Sequence, residues 1–448
     1  MINIIGAGLA GCEAAWQAAK RGVRVKLYEM KPEKFSPAHS NENFAELVCS
    51  NSFKAQNLEN ATGLLKKELE TGGSLIMEAA YKTQVPAGGA LAVDREHFSG
   101  YVTRKIRENN NIEVINGEVR DINLFKDGNE SNKKDEIVII ATGPLTSESL
   151  QESIKDLLGE EYLSFFDAAA PIVSLESINF ESAFYASRYN KGGKDYINCP
   201  LSEEEYKRFY HELINAESVR LRDFEHINIY EGCIPVEITA KRGEQTLLFG
   251  CMKPVGIIDE RTGKQPYAVV QLRQDNAAKS LYNMVGFQTN LKFGEQKRVF
   301  SLIPGLENCE FLRYGVMHRN TFINSPKLLD GAYSLRKNKN IFFAGQITGV
   351  EGYIESASSG FAAGVAAAEK ILTGGTFMFP RFTVIGALAQ YVSDAGISDF
   401  QPMGANFGLV EPPREKIKGG RKNIRLRMAE ISVGYMENWI EGELGRIG

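Results

Sequence analysis

Residues 2–29 read INIIGAGLAGCEAAWQAAKRGVRVKLYE, and this stretch decides the fold. The apolar run Ile2–Ile5 predicts a short buried strand, and the helical pattern after the glycine-rich turn continues to about Arg21. Gly22 ends that helix, and Val23–Tyr28 predicts a second strand. A strand, a glycine turn, a helix and another strand form a βαβ unit, which indicates a parallel sheet.

The turn after the first strand has the chemistry of a dinucleotide cradle. Gly6 permits the tight turn, Gly8 lets the backbone approach a pyrophosphate, and Gly11 lets the helix pack closely on the strand. The start of the helix faces the phosphates, and Glu29 ends the second strand, where it can accept hydrogen bonds from ribose hydroxyls. We therefore expect a dinucleotide to lie against six consecutive residues: Gly6, Ala7, Gly8, Leu9, Ala10 and Gly11.

Two further strand-to-glycine turns occur far along the chain. The run Ile137–Ala141 precedes Thr142 and Gly143, and the run Ile341–Ala344 precedes Gly345, Gln346 and a helical pattern from about Glu355 to Leu372. Together with the first unit, these turns resemble the glutathione-reductase-like FAD fold, an α/β Rossmann architecture in which both ends of the chain hold the dinucleotide. The resemblance favours FAD over a nicotinamide as the resident cofactor. It also shows Gln346 where that family commonly has a carboxylate.

The middle of the chain has a different texture, with aromatic and β-branched alternation and turn signals. We expect an inserted α+β domain that binds substrate or RNA, and an FAD-binding domain split around it. The expected FAD-binding segments are 1–171 and 329–448, the inserted domain is 172–328, and the local predictions are strands at Ile227–Tyr230 and Tyr267–Leu272, a helix at Ser202–Ala216 and a polar loop at Lys126–Glu136.

Composition excludes several classes of protein. The 448 residues are 43% hydrophobic, which argues against a disordered chain, and no apolar stretch approaches the ~20 residues that span a bilayer. The chain starts at Met1 without a leader pattern, so we expect a cytoplasmic protein without membrane association. Six scattered cysteines, with no pair at zinc spacing, predict neither a metal site nor a disulfide framework. They are Cys12, Cys49, Cys199, Cys233, Cys251 and Cys309.

A basic strip lies near the C-terminus of a chain whose formal net charge is −4. Residues 414–427 hold seven basic side chains against the single acid Glu415. Such a strip is either a solvated face or a phosphate-contacting surface, and the two interpretations have equal weight. The candidate RNA contacts within it are Lys418, Arg421 and Lys422.

Five blocks across the chain carry a closer resemblance. They read FAELVCSNS at 44–52, VPAGGALAVDR at 85–95, EGCIPVE at 231–237, YGVMHRNT at 314–321 and GQITGVEGY at 345–353. These blocks resemble the folate- and FAD-dependent tRNA (uracil-5-)-methyltransferases of bacteria, the TrmFO family. The resemblance implies transfer of a one-carbon unit from 5,10-methylenetetrahydrofolate to C5 of the T-loop uridine of tRNA, with FAD reduced by NADH or NADPH and no obligate protein partner.

That chemistry calls for a reactive thiol. C5 of uracil becomes nucleophilic when a thiolate adds at C6. The resemblance maps two functional thiols onto Cys233 and Cys49, the latter in a polar segment near Lys54. We assign Cys233 as nucleophile and Cys49 as proton-transfer partner, and the reverse order stays open. The resemblance also places His318 against the folate pterin. An arbitrary cysteine packs as a small apolar residue, so the other four are expected to be inert.

Three rival functions share part of this pattern. A GidA-like wobble-uridine enzyme has the same fold and folate use but adds a C-terminal helical domain, before which we expect this chain to end. A paralogue that methylates ribosomal RNA would keep every motif. A small-molecule flavin oxidoreductase would explain the glycine turns but not the two thiol blocks or the basic strip, and a non-catalytic flavoprotein explains least.

Overall fold

The computed structural model describes residues 1–125, 136–159, 162–190, 193–219, 234–415, 417 and 420–447. The strands are β1 (Ile2–Ile5), β2 (Val25–Glu29), β3 (Ser52–Ala55), β4 (Gln84–Val85), β5 (Ala90–Val93), β6 (Ile112–Asn116), β7 (Ile137–Ile140), β8 (Leu163–Ala168), β9 (Ile172–Ser174), β10 (Phe184–Ala186), β11 (Tyr196–Leu201), β12 (Ala268–Gln274), β13 (Leu281–Met284), β14 (Phe311–Arg313), β15 (Met317–Phe322) and β16 (Ile341–Phe343). The helices are α1 (Leu9–Lys20), α2 (Ala61–Thr71), α3 (Leu75–Lys82), α4 (Arg95–Arg107), α5 (Glu148–Leu158), α6 (Glu203–Asn215), α7 (Val236–Lys241), α8 (Thr246–Phe249), α9 (Phe293–Phe300), α10 (Ser325–Leu328), α11 (Tyr353–Thr373), α12 (Val384–Ser393) and α13 (Gly420–Ile447). The expected strand at 227–230 and most of the expected loop at 126–136 lie outside the described residues.

A five-stranded parallel sheet places the three glycine turns together. Its strand order is β16-β7-β1-β2-β6, so the three strands that precede the turns are neighbours. Because the strands are parallel, their carboxyl ends meet at one edge of the sheet. The expected α/β architecture is confirmed, and the turns at Gly6, Gly143 and Gly345 line up along that edge.

The first turn needs glycine for two separate reasons. Gly6 has a φ of +97°, which L side chains rarely adopt. A Cβ at Gly11 would lie 1.8 Å from the carbonyl oxygen of Gly6, so any side chain there would push α1 away from β1. The turn and the first helix therefore depend on these two positions.

The helix α11 packs directly on α1 through small residues. A Cβ at Gly360 would lie 2.1 Å from the carbonyl oxygen of Ala10, and one at Gly364 would lie 2.6 Å from that of Ala14. Two glycines, four positions apart on one helical face, thus let the backbones approach closely. This contact holds the start of α11 beside the start of α1.

The second large sheet has six strands, in the order β10-β11-β12-β13-β9-β14. One of its faces is apolar, with Ile197, Leu272 and Met284 packed in a core that also takes in Phe209 of α6 and Val299 of α9. Residues directly paired on neighbouring strands share a face, so the alternate residues form a second, polar face.

Two separate hydrophobic clusters underlie these sheets. One joins residues 2–158 to residues 322–436, and the other lies within residues 173–309. We propose the division expected from the sequence, with an FAD-binding domain of 1–171 and 329–448 and an inserted domain of 172–328. The cluster of the FAD-binding domain also includes Phe322, Ile323 and Leu328. Within the described ranges, no helix combines the length and the apolar character needed to cross a bilayer.

We predict that Gly360→Ala destabilises the protein, because the added methyl group collides with the backbone of α1. Overpacking of this kind costs roughly 1–3 kcal/mol, so the thermal unfolding midpoint should fall by several degrees. The matched control is Gly434→Ala in α13, where a Cβ meets nothing within 4 Å and alanine should be neutral or slightly stabilising. Equal unfolding midpoints for the two variants, measured by circular dichroism, would contradict the packing argument.

Candidate functional site

A deep cleft runs along the edge of the parallel sheet where the glycine turns meet. It contains about 1140 Å³ of empty space, part of which is open to solvent. Most of the expected cofactor contacts lie on its wall, together with Val48 and Tyr353. The wall residues from the expected set are Gly6, Gly8, Leu9, Ala10, Glu29, Thr142, Gly143, Gly345 and Gln346.

The glycine turns fit a dinucleotide. A Cβ at Gly8 or at Gly143 would meet nothing within 4 Å, so the protein itself does not require the absence of a side chain at Gly8. Gly143 has a φ of +70°, and its backbone conformation does require glycine. The open space at Gly8, beside the start of α1, is where a pyrophosphate would approach the backbone.

The two remaining residues of the first turn act indirectly. The N–H of Ala7 donates to Glu29 Oε2 at 2.8 Å, and the N–H of Lys31 donates to Glu29 Oε1 at 3.0 Å. The carboxylate of Glu29 is thereby oriented at the end of β2, on the cleft wall. Gly11 does not line the cleft, and its role is the close packing of α1 on the turn.

A carboxylate that the sequence pattern did not predict lies near the third turn. Gln346, on the cleft wall, donates its side-chain N–H to Glu351 Oε2 at 2.5 Å. Glu351 is 7% exposed, and its own backbone N–H donates to Met403 at 2.9 Å. A carboxylate is therefore present near this turn, five residues later in the chain than the family pattern predicts.

Cys49 lies beside the cleft, held by a tyrosine from the other end of the chain. The backbone N–H groups of Cys49 and Ser50 donate to the phenol oxygen of Tyr353, at 2.9 and 3.0 Å. The same oxygen lies 3.1 Å from Cys49 Sγ. Because two N–H groups occupy the lone pairs of the phenol, its own proton points to the sulfur. A phenol that donates to sulfur stabilises the thiolate over the thiol.

The electrostatics of Tyr353 support that direction of donation. Burial raises the pKa of Tyr353 well above its ordinary value, and the neighbouring Cys49 adds to the increase. The phenol therefore keeps its proton at neutral pH. Tyr353 is the last residue of the GQITGVEGY block, and the sequence pattern assigns it no role. The local sequence feature that could have indicated a role is a tyrosine at the first position of α11, directly after Gly352.

The other described cysteines lie in less reactive surroundings. Cys12, Cys199 and Cys309 are buried, and burial raises the pKa of each thiol. Cys251 is partly exposed, yet desolvation raises its pKa to about 12. Cys49, by contrast, is partly exposed and contacts the cleft wall. Cys233 lies outside the described residues.

Two further residues of the expected site are His318 and Lys54. The backbone of His318 lies in β15, where it pairs with Asp167 of β8. Its ring is outside the described part of the structure. Lys54 forms an ion pair with Glu355, with 3.0 Å between Nζ and Oε1. It therefore contacts the first turn of α11.

The basic strip carries less net positive charge than its sequence suggests. Lys422 pairs with Glu59 at 2.7 Å, and Arg427 pairs with Glu415 at 2.7 Å and Glu430 at 3.0 Å. Arg421 is exposed at the start of α13, and Lys418 lies outside the described residues. Acids from neighbouring segments, which a count over 414–427 omits, therefore reduce the local positive charge.

The parallel sheet, the three glycine turns and the cleft together define an FAD-type dinucleotide-binding protein of the α/β class. The family described as Glucose inhibited division protein A matches residues 1–374. The chain is 62% identical, over 94% of both chains, to a protein of Acetivibrio thermocellus named methylenetetrahydrofolate–tRNA-(uracil-5-)-methyltransferase TrmFO. A protein of the same name from Anoxybacillus flavithermus is 55% identical over 98% of this chain and 99% of its own. The chain belongs to the TrmFO family.

A solved structure agrees on the fold. Aquifex aeolicus GidA, in its form II crystal, superposes with a TM-score of 0.69 at 16% identity. The match covers 99% of this chain and 76% of the GidA chain. At this identity the likeness supports the shared architecture alone.

We predict that Gly8→Ala weakens FAD binding at least tenfold while leaving the fold intact. The added methyl group meets no protein atom, so it can interfere only with a group bound in the cleft. Flavin fluorescence titration of the apoprotein measures the affinity, and circular dichroism checks the fold. Gly294→Ala in α9, equally open but outside the cleft, is the control. Retention of stoichiometric flavin by the Gly8 variant would contradict the assignment of the cradle.

Proposed function

We propose that this protein methylates C5 of the T-loop uridine of tRNA, with 5,10-methylenetetrahydrofolate as one-carbon donor. The observation that carries the proposal is the 62% identity, over 94% of the chain, to a relative named for this reaction. The geometry supports it, because the partly exposed thiol of Cys49 lies one hydrogen bond from the wall of a cleft that fits a dinucleotide. The tRNA substrate leads us to expect the protein in the cytoplasm.

FAD is the resident cofactor in this proposal. When bound and reduced by NADH or NADPH, it supplies the carrier and hydride chemistry that converts the one-carbon unit into a methyl group. The residues that would hold it are those of the three glycine turns and Glu29. The protein's own contributions are to position the dinucleotide at the start of α1 and to present thiols to the uracil.

The two thiols divide the work on uracil. The Cys233 thiolate adds to C6 and forms an S–C6 bond, which makes C5 a nucleophile for the methylene carbon. Cys49 then accepts the proton that leaves C5, and the S–C6 bond breaks to restore the ring. The phenol of Tyr353 and the two backbone N–H groups beside it hold the Cys49 loop in place for that proton transfer.

The pterin and the RNA have separate proposed contacts. His318 is proposed to stack on the folate pterin, and its position in β15 ties it to the strand pair with β8. The basic strip is proposed to contact tRNA phosphates through Lys418, Arg421 and Lys422. The exposure of Arg421 supports this, whereas the pairing of Lys422 with Glu59 implies that RNA would compete with that carboxylate.

We predict that the protein forms 5-methyluridine in unmodified tRNA when supplied with methylenetetrahydrofolate and NADH or NADPH. S-adenosylmethionine should not replace the folate. His318→Ala should reduce turnover with the folate strongly, without loss of bound flavin. Nucleoside analysis of the tRNA by mass spectrometry measures the product. Methylation of ribosomal RNA in place of tRNA would assign the chain to the paralogous reaction, and activity with S-adenosylmethionine alone would overturn the mechanism.

We predict that a T-loop stem-loop carrying 5-fluorouracil traps a covalent protein–RNA adduct, because fluorine does not leave C5 as a proton does. The target base must leave its stack at a cost of a few kcal/mol, so an unfolded oligonucleotide should trap poorly. Cys233→Ala should abolish both adduct and turnover, whereas Cys49→Ala should lose turnover and keep the adduct on denaturing gels. Cys199→Ala, at a buried thiol, is the control. The opposite pattern would exchange the two roles, and full turnover in both variants would exclude thiol catalysis.

A further inference from the structure

The loop that carries Cys49 is clamped by arginines from three different elements. Arg95 of α4 donates to the carbonyl oxygen of Leu47 at 3.0 Å, and Arg313 of β14 donates to the carbonyl oxygen of Val48. Arg273 of β12 donates to Ser50 Oγ at 2.9 Å and to Asn51 Oδ1 at 3.0 Å. The residues on both sides of Cys49 are thus fixed by guanidinium groups. We call residues 47–51 the thiol loop.

Two of the three arginines, Arg273 and Arg313, belong to one row of the six-stranded sheet. Arg273 pairs with Tyr196 on one side and Asn283 on the other, Asn283 pairs with Ile172, and Ile172 pairs with Arg313. Directly paired residues share a face, so the five side chains form a row on the face opposite the apolar core. The row also reaches the VPAGGALAVDR block, because the Tyr196 hydroxyl donates to Ala87 at 2.9 Å. The inserted domain docks against the thiol loop through this row.

Asn51 closes the contact from the other side. It is fully buried, and its side-chain N–H donates to Gln274 at 2.9 Å and to Val93 at 3.0 Å. Asp275, the residue directly after β12, accepts from Arg95 at 3.1 and 3.2 Å. Strand β12 therefore holds the thiol loop directly through Arg273 and Gln274 and indirectly through Arg95.

The charges around the thiol loop are mostly positive. Three guanidiniums face it from α4, β12 and β14, and the carboxylate of Asp275 faces Arg95. Among the described residues, the phenols of Tyr353 and Tyr196 also face this region, and His39 lies within electrostatic reach of Arg313. Burial lowers the pKa of Arg273, but a guanidinium starts so high that it stays protonated at neutral pH. Cys49 raises the pKa of both Arg273 and Arg313, and by the same interaction these cations favour a thiolate over a thiol at Cys49.

We propose that Arg273 and Arg313 are positioning residues that hold the Cys49 loop against Tyr353 and keep the thiol ready to lose its proton to solvent. The proposal rests on the function of Cys49 proposed above and names the device that prepares it. It makes the reactivity of Cys49 dependent on docking of the inserted domain. A thiolate at Cys49 can then accept the proton from C5 of the substrate base.

The test is the pH profile of Cys49 alkylation by iodoacetamide in the full-length flavin-bound protein. Mass spectrometry of the peptide that carries Cys49 follows the reaction, without folate or RNA present. In Arg273→Met and in Arg313→Met we expect the midpoint of the profile to rise by about one pH unit, and the rate at pH 7 to fall about tenfold. Arg273→Lys keeps the charge but not both hydrogen bonds, so its midpoint should stay near that of the parent while its methyl-transfer rate falls.

Arg188→Met is the matched control. Arg188 belongs to the same domain and donates to Gln271 of β12 at 3.0 Å, but it does not contact the thiol loop. Its alkylation midpoint should equal that of the parent. Unchanged midpoints in both Arg273→Met and Arg313→Met would overturn the proposal, as would an equal shift in Arg188→Met. Arg313 is partly exposed and provides the test if the Arg273 variant fails to fold.

The experiment separates this inference from the proposed function. A shifted midpoint in a protein that forms no 5-methyluridine would support the clamp and refute the methyl-transfer proposal. Methyl transfer by the parent protein, together with unshifted midpoints in the variants, would support the function and refute the clamp.

Discussion

The close contact between α1 and α11 is the constraint on which the rest of the site depends. It requires Gly360 and Gly364 to face the backbone of α1 without side chains. Because of it, the start of a helix at residue 353 lies beside a turn at residues 6–11. Tyr353 reaches the cleft by this route, and the third glycine turn reaches it through β16 of the parallel sheet. The cleft therefore needs both ends of the chain.

The same contact holds Tyr353 against the thiol loop. Tyr353 binds two backbone N–H groups and the sulfur of the thiol loop, while the inserted domain binds the flanking carbonyl and polar side-chain groups. The loop thus lies between the two proposed domains and is held by both. Its partial exposure is compatible with a substrate base, whereas the other described thiols have raised pKa values because they are desolvated. In the proposed function, the reactivity of Cys49 follows from its position between the two proposed domains.

The surroundings of the thiol loop and the basic strip differ in how their positive charges are paired. The face of the six-stranded sheet that meets the thiol loop presents arginine and asparagine, and the carboxylate of Asp275 accepts from Arg95. On the surface, by contrast, basic side chains of α13 pair with Glu59, which precedes α2, with Glu415, which precedes α13, and with Glu430 of α13 itself. In the first region the guanidinium groups stay protonated despite their burial, whereas in the second local ion pairing reduces the positive charge.

The sequence by itself determined the βαβ unit, the places of the turn glycines and the family to which the chain belongs. Those features are readable because a tight turn, a strand and a helix start each impose requirements on neighbouring residues, and because the family blocks are contiguous. The roles of Glu351, Tyr353 and the arginines that contact the thiol loop could not be assigned in this way. Cys49 and Tyr353 are 304 residues apart, and Glu59 pairs with Lys422 from a still more distant segment. Such contacts depend on how helices and sheets dock, and no local periodicity encodes that geometry.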